Sequence, residues 1–219
     1  MYVRIIYIIG VVMMYKDYLE KNHSFDKKTM LGIFCMIIVI GGVFGFLYEY
    51  FFYFFNGGMK EFYYRGGNFL PWINIYATGS VMIYILTYKY RKNPLKVFLI
   101  SVISTGLLEY FSGLGIYIIG DGLRYWDYNT EILNFGNING FVCLRSVMFF
   151  GLSALLLMYA IVPFCFHVAS KSNRKLFLIV TITICSIFLA DEFYNLIFTK
   201  IFNLPNAIKI YKSLGVHYM

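Results

Sequence analysis

Five ionisable side chains lie within or at the edges of long apolar segments of the sequence. They are Glu49, Glu109, Arg145, Asp191 and Glu192. A charge facing lipid costs several kcal/mol, so such a residue must turn towards protein or water and is by default a candidate for function. At about 1.5 Å per helical residue, all five lie near the middle of the membrane or towards one and the same side of it.

Acids and arginines at similar depth allow three kinds of chemistry. Glu49 or Glu109 could form buried ion pairs with Arg65, Arg124 or Arg145 that only fix helix packing. The same residues could line a polar cavity that binds a solute or a lipid head group. Two carboxylates could also act as acid and base, but that requires a defined separation, which the sequence does not supply.

The composition places these charges in an integral membrane protein. The chain has 219 residues, of which 60% are hydrophobic and 14% charged, with a mean hydropathy of +0.67. A soluble domain is closer to half apolar and a quarter charged. Disorder is excluded as well, because it requires low hydrophobicity and high charge. The net charge of +8 therefore concerns membrane orientation rather than nucleic acid.

Five segments contain the roughly 20 mostly apolar residues that a helix needs to cross a bilayer. They are Leu31–Phe55, Leu70–Tyr88, Lys96–Ile119, Phe141–Val168 and Leu176–Phe198. Because backbone groups must be paired in lipid, we predict an all-α, polytopic transmembrane helix bundle with five main spans. A shorter apolar run, Ile5–Tyr15, predicts a short sixth span, with an interfacial helix or an uncleaved anchor as alternatives.

The organisation and orientation follow from the positions of the charges. We divide the chain into an N-terminal apolar run with a basic segment (1–30), the transmembrane bundle (31–200) and a short tail (201–219). Eleven Lys and Arg residues lie between residues 16 and 28 or around residues 89–96 and 171–175. Positive charge is retained in the cytoplasm. We therefore predict a cell-membrane protein with loops 89–95 and 169–175 in the cytoplasm and loops 56–69 and 120–140 outside.

The sequence suggests no metal, cofactor or disulfide. The three histidines are scattered, and the four cysteines lie in or beside apolar segments without C-x-x-C spacing. The sequence also lacks G-x-x-x-x-G-K-[ST], the phosphate-binding loop of many nucleotide-hydrolysing proteins. We expect no cofactor and no nucleotide hydrolysis by this chain.

Several short sequence motifs follow one another in order between residues 32 and 163. They are Gly45-Phe46-Leu47-Tyr48-Glu49, Leu108-Glu109-Tyr110, Arg124-Tyr125-Trp126-Asp127-Tyr128 and Cys143-Leu144-Arg145. This pattern resembles the bacterial membrane-protein family called "putative ABC-transporter type IV", whose members are labelled permeases. The resemblance implies a role in transport and a separate ATP-binding subunit or another membrane protein as partner. Asn74 is a departure, since the family tends to have proline there.

We therefore predict a transporter permease-like subunit with an outward-facing polar cluster. The alternatives are a membrane-embedded enzyme or lipid-handling protein, and an accessory or sensor subunit. The candidate residues are Glu49 and Glu109 as buried acids, Arg65, Arg124 and Arg145 as counter-charges or anion contacts, Trp126, Asp127 and Tyr128 as an outer lid, and Asn74 and Tyr76 as hydrogen-bonding groups. Asp127 could instead cap the backbone of its own loop. The expected partners also include the lipid bilayer, but no nucleic acid.

Overall fold

A computed structural model of the chain describes residues 15–20, 25–56 and 66–216. Six helices have defined bounds: α1 Lys27–Asn56, α2 Asn74–Thr87, α3 Pro94–Ile119, α4 Leu144–Lys171, α5 Arg174–Ile201 and α6 Ala207–Ser213. Residues 15–20 are also helical. Within the described ranges, β-pairing is limited to an isolated bridge between Ile138 and Val142. The predicted run Ile5–Tyr15 lies outside these ranges except for Tyr15.

Among the residues that the structure describes, four helices are long and apolar enough to cross a membrane, namely α1, α3, α4 and α5. The all-helical membrane architecture is therefore confirmed, but the count of five main spans is not. The second predicted span contains α2, which has 14 residues and is about 21 Å long, against a hydrocarbon core of about 30 Å. The apolar residues Leu70–Trp72, which the sequence pattern assigned to that span, precede the helix as irregular chain.

Polar side chains cap the helices at the hairpins that the charge pattern assigns to the cytoplasm. Asn93 accepts a backbone hydrogen bond at the start of α3, where Pro94 occupies the first helical position. Asn173 accepts two backbone hydrogen bonds at the start of α5. Asp26 accepts the backbone N–H of Lys28 at the start of α1. These contacts satisfy N–H groups that lack partners within the helix.

Two of the long helices contain one π-helical turn each. In α4 the turn covers Leu157–Ile161 and ends two residues before Pro163. Proline lacks an N–H group and clashes with the carbonyl four residues earlier, and the wider turn accommodates both effects. In α5 the turn covers Tyr194–Phe198 and follows Asp191 and Glu192. Such turns frequently mark functional positions in helices.

The chain forms two compact units. The first contains residues 82–167 together with the described residues before 21, and the second contains residues 25–81 and 168–216. In the first unit α3 packs on α4, and the Cβ of an alanine at Gly151 would lie 2.7 Å from the Phe98 ring. Small residues allow such close approach between membrane helices.

In the second unit α1 packs on α5, and α1 also approaches the start of α2 through the G-x-x-x-G pair Gly41 and Gly45. Gly45 lies directly against the ring of Tyr76. Trp72 and Phe188 form a buried aromatic pair with ring centroids 5.2 Å apart. The second unit is thus held together by close helix contacts and by the segment that precedes α2.

Candidate functional site

A buried acid in α3 lies at the centre of the first polar cluster. Glu109 is 4% exposed and accepts a short hydrogen bond from the Tyr128 hydroxyl at Oε1. Its Oε2 lies 2.7 Å from the Ser146 Oγ. Tyr128 belongs to the loop 120–143 and Ser146 to the first turn of α4. The carboxyl group therefore joins the loop to α3 and α4.

The number of protons available in this cluster limits its hydrogen bonds. Besides its contact with Glu109, the Ser146 Oγ lies 2.8 Å from the Cys143 carbonyl oxygen and accepts the Cys143 N–H at 3.2 Å. A serine hydroxyl carries one proton, so it can donate to the carbonyl or to the carboxyl group, but not to both. All these contacts are satisfied together only when Glu109 itself donates a proton to Ser146.

Tyr128 is the permanent donor of the cluster. Its side chain is buried, and this burial, together with the adjacent Glu109 carboxyl group, raises the pKa of the phenol far above its ordinary value. The hydroxyl group therefore keeps its proton at every physiological pH and donates it to Glu109. Tyr128 also donates its backbone N–H to the Gly140 carbonyl, which ties the middle of the loop to its end.

Arg145 is paired differently from the prediction. Its Nη2 lies 2.6 Å from Glu131 Oε2 in the loop, and its guanidinium carbon lies 5.4 Å from the centre of the Tyr128 ring. The predicted pairing of Glu109 with an arginine is replaced by two hydroxyl contacts. The pair of Arg145 with Glu131 is partly accessible to water, so forming it requires less desolvation than pairing with a fully buried acid.

The remaining lid residues build the loop itself. Arg124 donates to the Asn139 carbonyl at 2.9 Å and stacks over the Phe141 ring at 4.4 Å. The Trp126 indole N–H donates to the Phe141 carbonyl at 2.9 Å. Asp127 accepts the backbone N–H of Asn129 at 3.0 Å, which confirms that it caps its own loop. These side chains give the loop a defined shape, and Tyr128 connects that loop to Glu109.

A second polar cluster surrounds Asp191 in α5. Its carboxylate accepts the backbone N–H groups of Phe69 and Leu70, both at 2.9 Å, and the indole N–H of Trp72 at 3.0 Å. The Asn195 side chain donates to it at 2.8 Å. One carboxylate thus satisfies the backbone of an irregular segment next to a membrane helix, where unpaired N–H groups would be costly.

Glu192 holds the same segment from the next position. It accepts a hydrogen bond from the Asn68 side chain at 2.7 Å and another from Asn74 at 3.2 Å. Asn74, a predicted site residue, therefore contacts an acid of α5. Asn68 was not predicted as a site residue, because an asparagine near glycines is typical of any turn.

The C-terminal helix closes over this second cluster. The Asn195 side-chain oxygen accepts the Ala207 N–H at 2.7 Å, and the Tyr211 hydroxyl donates to the Phe69 carbonyl at 2.6 Å. Residues 201–213, which are part of the predicted tail 201–219, are therefore folded against the rest of the second unit.

Of the other predicted site residues, Glu49 and Tyr76 lie on α1 and α2, and Arg65 lies outside the described ranges. Glu49 is partly buried, and Tyr76 packs against Gly45. The four cysteines are free thiols and buried. Among the described residues, no group of three or more His, Cys, Asp or Glu side chains is arranged to hold a metal ion.

Four apolar helices with acids buried at internal positions define a multi-pass membrane protein. The sequence profile of the family described as "Putative ABC-transporter type IV" matches residues 34–196, and the chain belongs to this family. The match includes Asp191 and Glu192, beyond the segment that carried the resemblance. Neither the comparison with curated proteins nor that with solved structures finds a match.

Proposed function

We propose that this chain is a permease-like membrane subunit of a transport system whose ATP hydrolysis is supplied by a separate subunit. The family and the four apolar helices support a transport-related membrane role. The sequence has no phosphate-binding loop of the G-x-x-x-x-G-K-[ST] type, so the nucleotide is expected to bind elsewhere. On this proposal the chain is not itself a nucleotide-hydrolysing enzyme.

The observation that carries the proposal is the attachment of loop 120–143 to Glu109. Separating a buried ion pair would leave a buried charge uncompensated. A buried acid that is hydrogen-bonded to neutral hydroxyl groups can exchange partners without this cost. The Tyr128 contact is therefore a bond that a solute could replace. In the proposed mechanism the loop is a lid, and Glu109 senses its position.

The second cluster has a scaffolding role in this proposal. Asp191 and Glu192 accept hydrogen bonds from six groups of the protein, namely the N–H groups of Phe69 and Leu70 and the side chains of Trp72, Asn195, Asn68 and Asn74. Carboxylates occupied in this way have little capacity left for a solute. The lid at Glu109 is therefore the better candidate for a moving part.

We also propose that α2 carries the chain across the membrane despite its length. Asp26 and Arg174 form an ion pair, so the starts of α1 and α5 lie on the same side. Three crossings, by α1, α3 and α4, would place the starts of α1 and α5 on opposite sides of the membrane. A fourth crossing, by α2, places both starts on the same side, in agreement with the ion pair. The segment 68–73, whose backbone is bound by Asp191, would supply the missing length.

Capture of the tagged full-length chain from native membranes in a mild detergent tests the proposal. We expect a subunit with a phosphate-binding loop to co-purify, and the complex to hydrolyse ATP. Absence of any such subunit would contradict the ABC mechanism. A complex with another membrane protein but without ATP hydrolysis would support an accessory or sensor role instead.

The role of the lid is tested in the same complex. Glu109→Gln and Tyr128→Phe should change the ATPase rate several-fold, because lid position is coupled to hydrolysis in a transporter. Asp121→Asn is the matched control, since Asp121 is an exposed acid of the same loop at φ 50°, which asparagine also adopts. Equal rates in all three variants would exclude Glu109 from the mechanism.

A further inference from the structure

The loop 120–143 exposes an unusual number of large apolar side chains. Six of them are between 43% and 60% exposed: Leu123, Tyr125, Ile132, Leu133, Phe135 and Ile138. Single exposed apolar residues are normal on proteins, whereas a large amount of exposed apolar surface in one segment indicates an interaction surface. The loop lies between two membrane helices, so this surface is presented where one of those helices ends and the next begins.

Several polar side chains of the loop form their hydrogen bonds within the protein. Asp127, Trp126 and Tyr128 bond to the loop itself or to α3, and the Asn134 side chain donates to the Tyr128 carbonyl at 2.8 Å. The hydrogen-bonding capacity of these groups is therefore used within the protein. The apolar side chains remain on the outer surface as a consequence of this internal pairing.

The backbone at Leu133 supports the same conclusion. Its φ is 54°, in the left-handed region that residues with a branched side chain rarely adopt. Glycine or asparagine would adopt this conformation more easily. The loop nevertheless has a leucine here, and its side chain is 60% exposed. A strained residue whose side chain gains no burial within the protein points to an apolar environment outside it.

Lipid is the occupant that the neighbouring residues indicate. The loop begins directly after Ile118 and Ile119, which are 68% and 84% exposed, and ends at the exposed Leu144. These residues lie at the ends of spans that lipid surrounds, so the loop surface continues the lipid-facing surface. We propose that the apolar face of loop 120–143 lies in the interfacial layer of the bilayer and does not project into water.

The interfacial layer suits this loop in two further respects. Aromatic side chains such as Tyr125 are favoured at the level of the lipid head groups. The remaining exposed polar residues, including Asn129 and Thr130, would be hydrated there, which the hydrocarbon core would not allow. The lipid contact is independent of the transport role, since it depends only on the loop surface.

Spin labels on single cysteines test the proposal in the full-length chain. The protein is reconstituted in vesicles of equal parts phosphatidylcholine and phosphatidylglycerol, and the label is placed through Phe135→Cys or Ile138→Cys. Thr130→Cys is the matched control, because Thr130 is an exposed polar residue of the same loop. The native cysteines are buried, and the unmodified chain measures their background labelling. Collisions with oxygen, which enters lipid, are compared with collisions with a water-soluble nickel chelate.

We expect the ratio of oxygen to nickel collisions to be several-fold higher at residues 135 and 138 than at residue 130. Equal ratios at the three positions would overturn the proposal, because the loop would then lie in water. Exclusion of both reagents at residue 135 would also overturn it, in favour of contact with another protein.

Hydroxyl-radical footprinting of the unmodified chain in the same vesicles gives a second reading that requires no variant. Tyr125 and Phe135 should remain unoxidised when the loop face lies in lipid. Oxidation of both residues would contradict the proposal even if the labelled variants failed to fold.

Discussion

Glu109 is stabilised in its helix without direct hydrogen bonding to a basic residue. Its two oxygens contact the hydroxyl groups of Tyr128 and Ser146, and the nearby Arg145 hydrogen-bonds to Glu131. Hydroxyl groups satisfy a buried carboxyl group without placing a second charge beside it. This arrangement requires a proton on Glu109 if every contact with Ser146 and Cys143 is to be made.

Two replacements of Glu109 distinguish whether its carboxyl group is protonated or ionised in the folded protein. Glu109→Gln should unfold at nearly the same temperature as the unmodified protein, because the amide can accept from Tyr128 and donate to Ser146. Glu109→Ala should lose about 2 kcal/mol, since it leaves buried hydroxyl groups without a partner. Thermal unfolding in detergent measures both variants. If Gln and Ala are equally destabilising, Glu109 is ionised in the folded protein.

At this scale the sequence identified the residue types but not their partners. Glu109, Tyr128 and Arg145 were all candidate residues, yet the expected ion pair is not the contact that the structure makes. Ser146 was not predicted. Its position three residues after Cys143, at the start of a helix, was the available signal, because side chains there often bond back to the residue before the helix.

At the scale of elements, α5 fixes the segment that leads into α2. Asp191 binds three donors of that segment, so Asp191→Asn would place an amide N–H group against some of them. Since asparagine keeps one oxygen, the amide N–H group faces the donors of the other oxygen, which for Oδ2 are Leu70 and Trp72. We expect a loss of about 2 kcal/mol in the free energy of unfolding, together with a shift in the fluorescence of Trp72.

Lys212→Gln is a suitable control for Asp191→Asn, because Lys212 is exposed on α6. Its stability and fluorescence should match those of the unmodified chain. Unchanged fluorescence in Asp191→Asn would mean that the carboxylate does not hold the segment in solution.

Glycine positions test the packing of the helices. An alanine at Gly45 would overlap the Tyr76 ring, so Gly45→Ala should lose about 1 to 3 kcal/mol through overpacking. Gly115→Ala is the matched control, because no atom lies within 4 Å of a Cβ at that position and alanine favours the helix. Thermal unfolding compares the two. Equal loss in both variants would indicate a general helix effect rather than a contact with Tyr76.

The helices themselves were largely predictable. Continuous apolar runs determine α1, α3, α4 and α5, since only helices satisfy their own backbone in lipid. The length of α2 was not predictable, because Leu70 and Trp72 are as apolar as helix residues. Only the contact with Asp191, more than a hundred residues later, shows why they are not helical.

At the scale of the whole molecule, the orientation can be tested by labelling single cysteines on intact cells. A membrane-impermeant maleimide should modify Thr130→Cys but not Ser172→Cys, because the basic hairpins are expected in the cytoplasm. Both positions are exposed. Inverted membrane vesicles should give the opposite result, which controls for reactivity.

The same approach tests whether α2 crosses the membrane. Lys28→Cys should behave like Ser172→Cys if α2 crosses, because four crossings then separate the two residues, and like Thr130→Cys if α2 does not cross. Lys28 is exposed at the start of α1. The pairing of Asp26 with Arg174 leads us to expect the first result.

The sequence by itself determined the class of this protein, because an apolar composition and long uncharged runs leave the membrane as the compatible solvent. It also located the buried acids, since ionisable residues in such runs are few. The tertiary structure decided which groups these acids contact. Hydrogen bonds act over about 3 Å and join residues far apart in the chain, so neither Tyr128 with Glu109 nor the segment 68–74 with Asp191 and Glu192 follows from spacing alone.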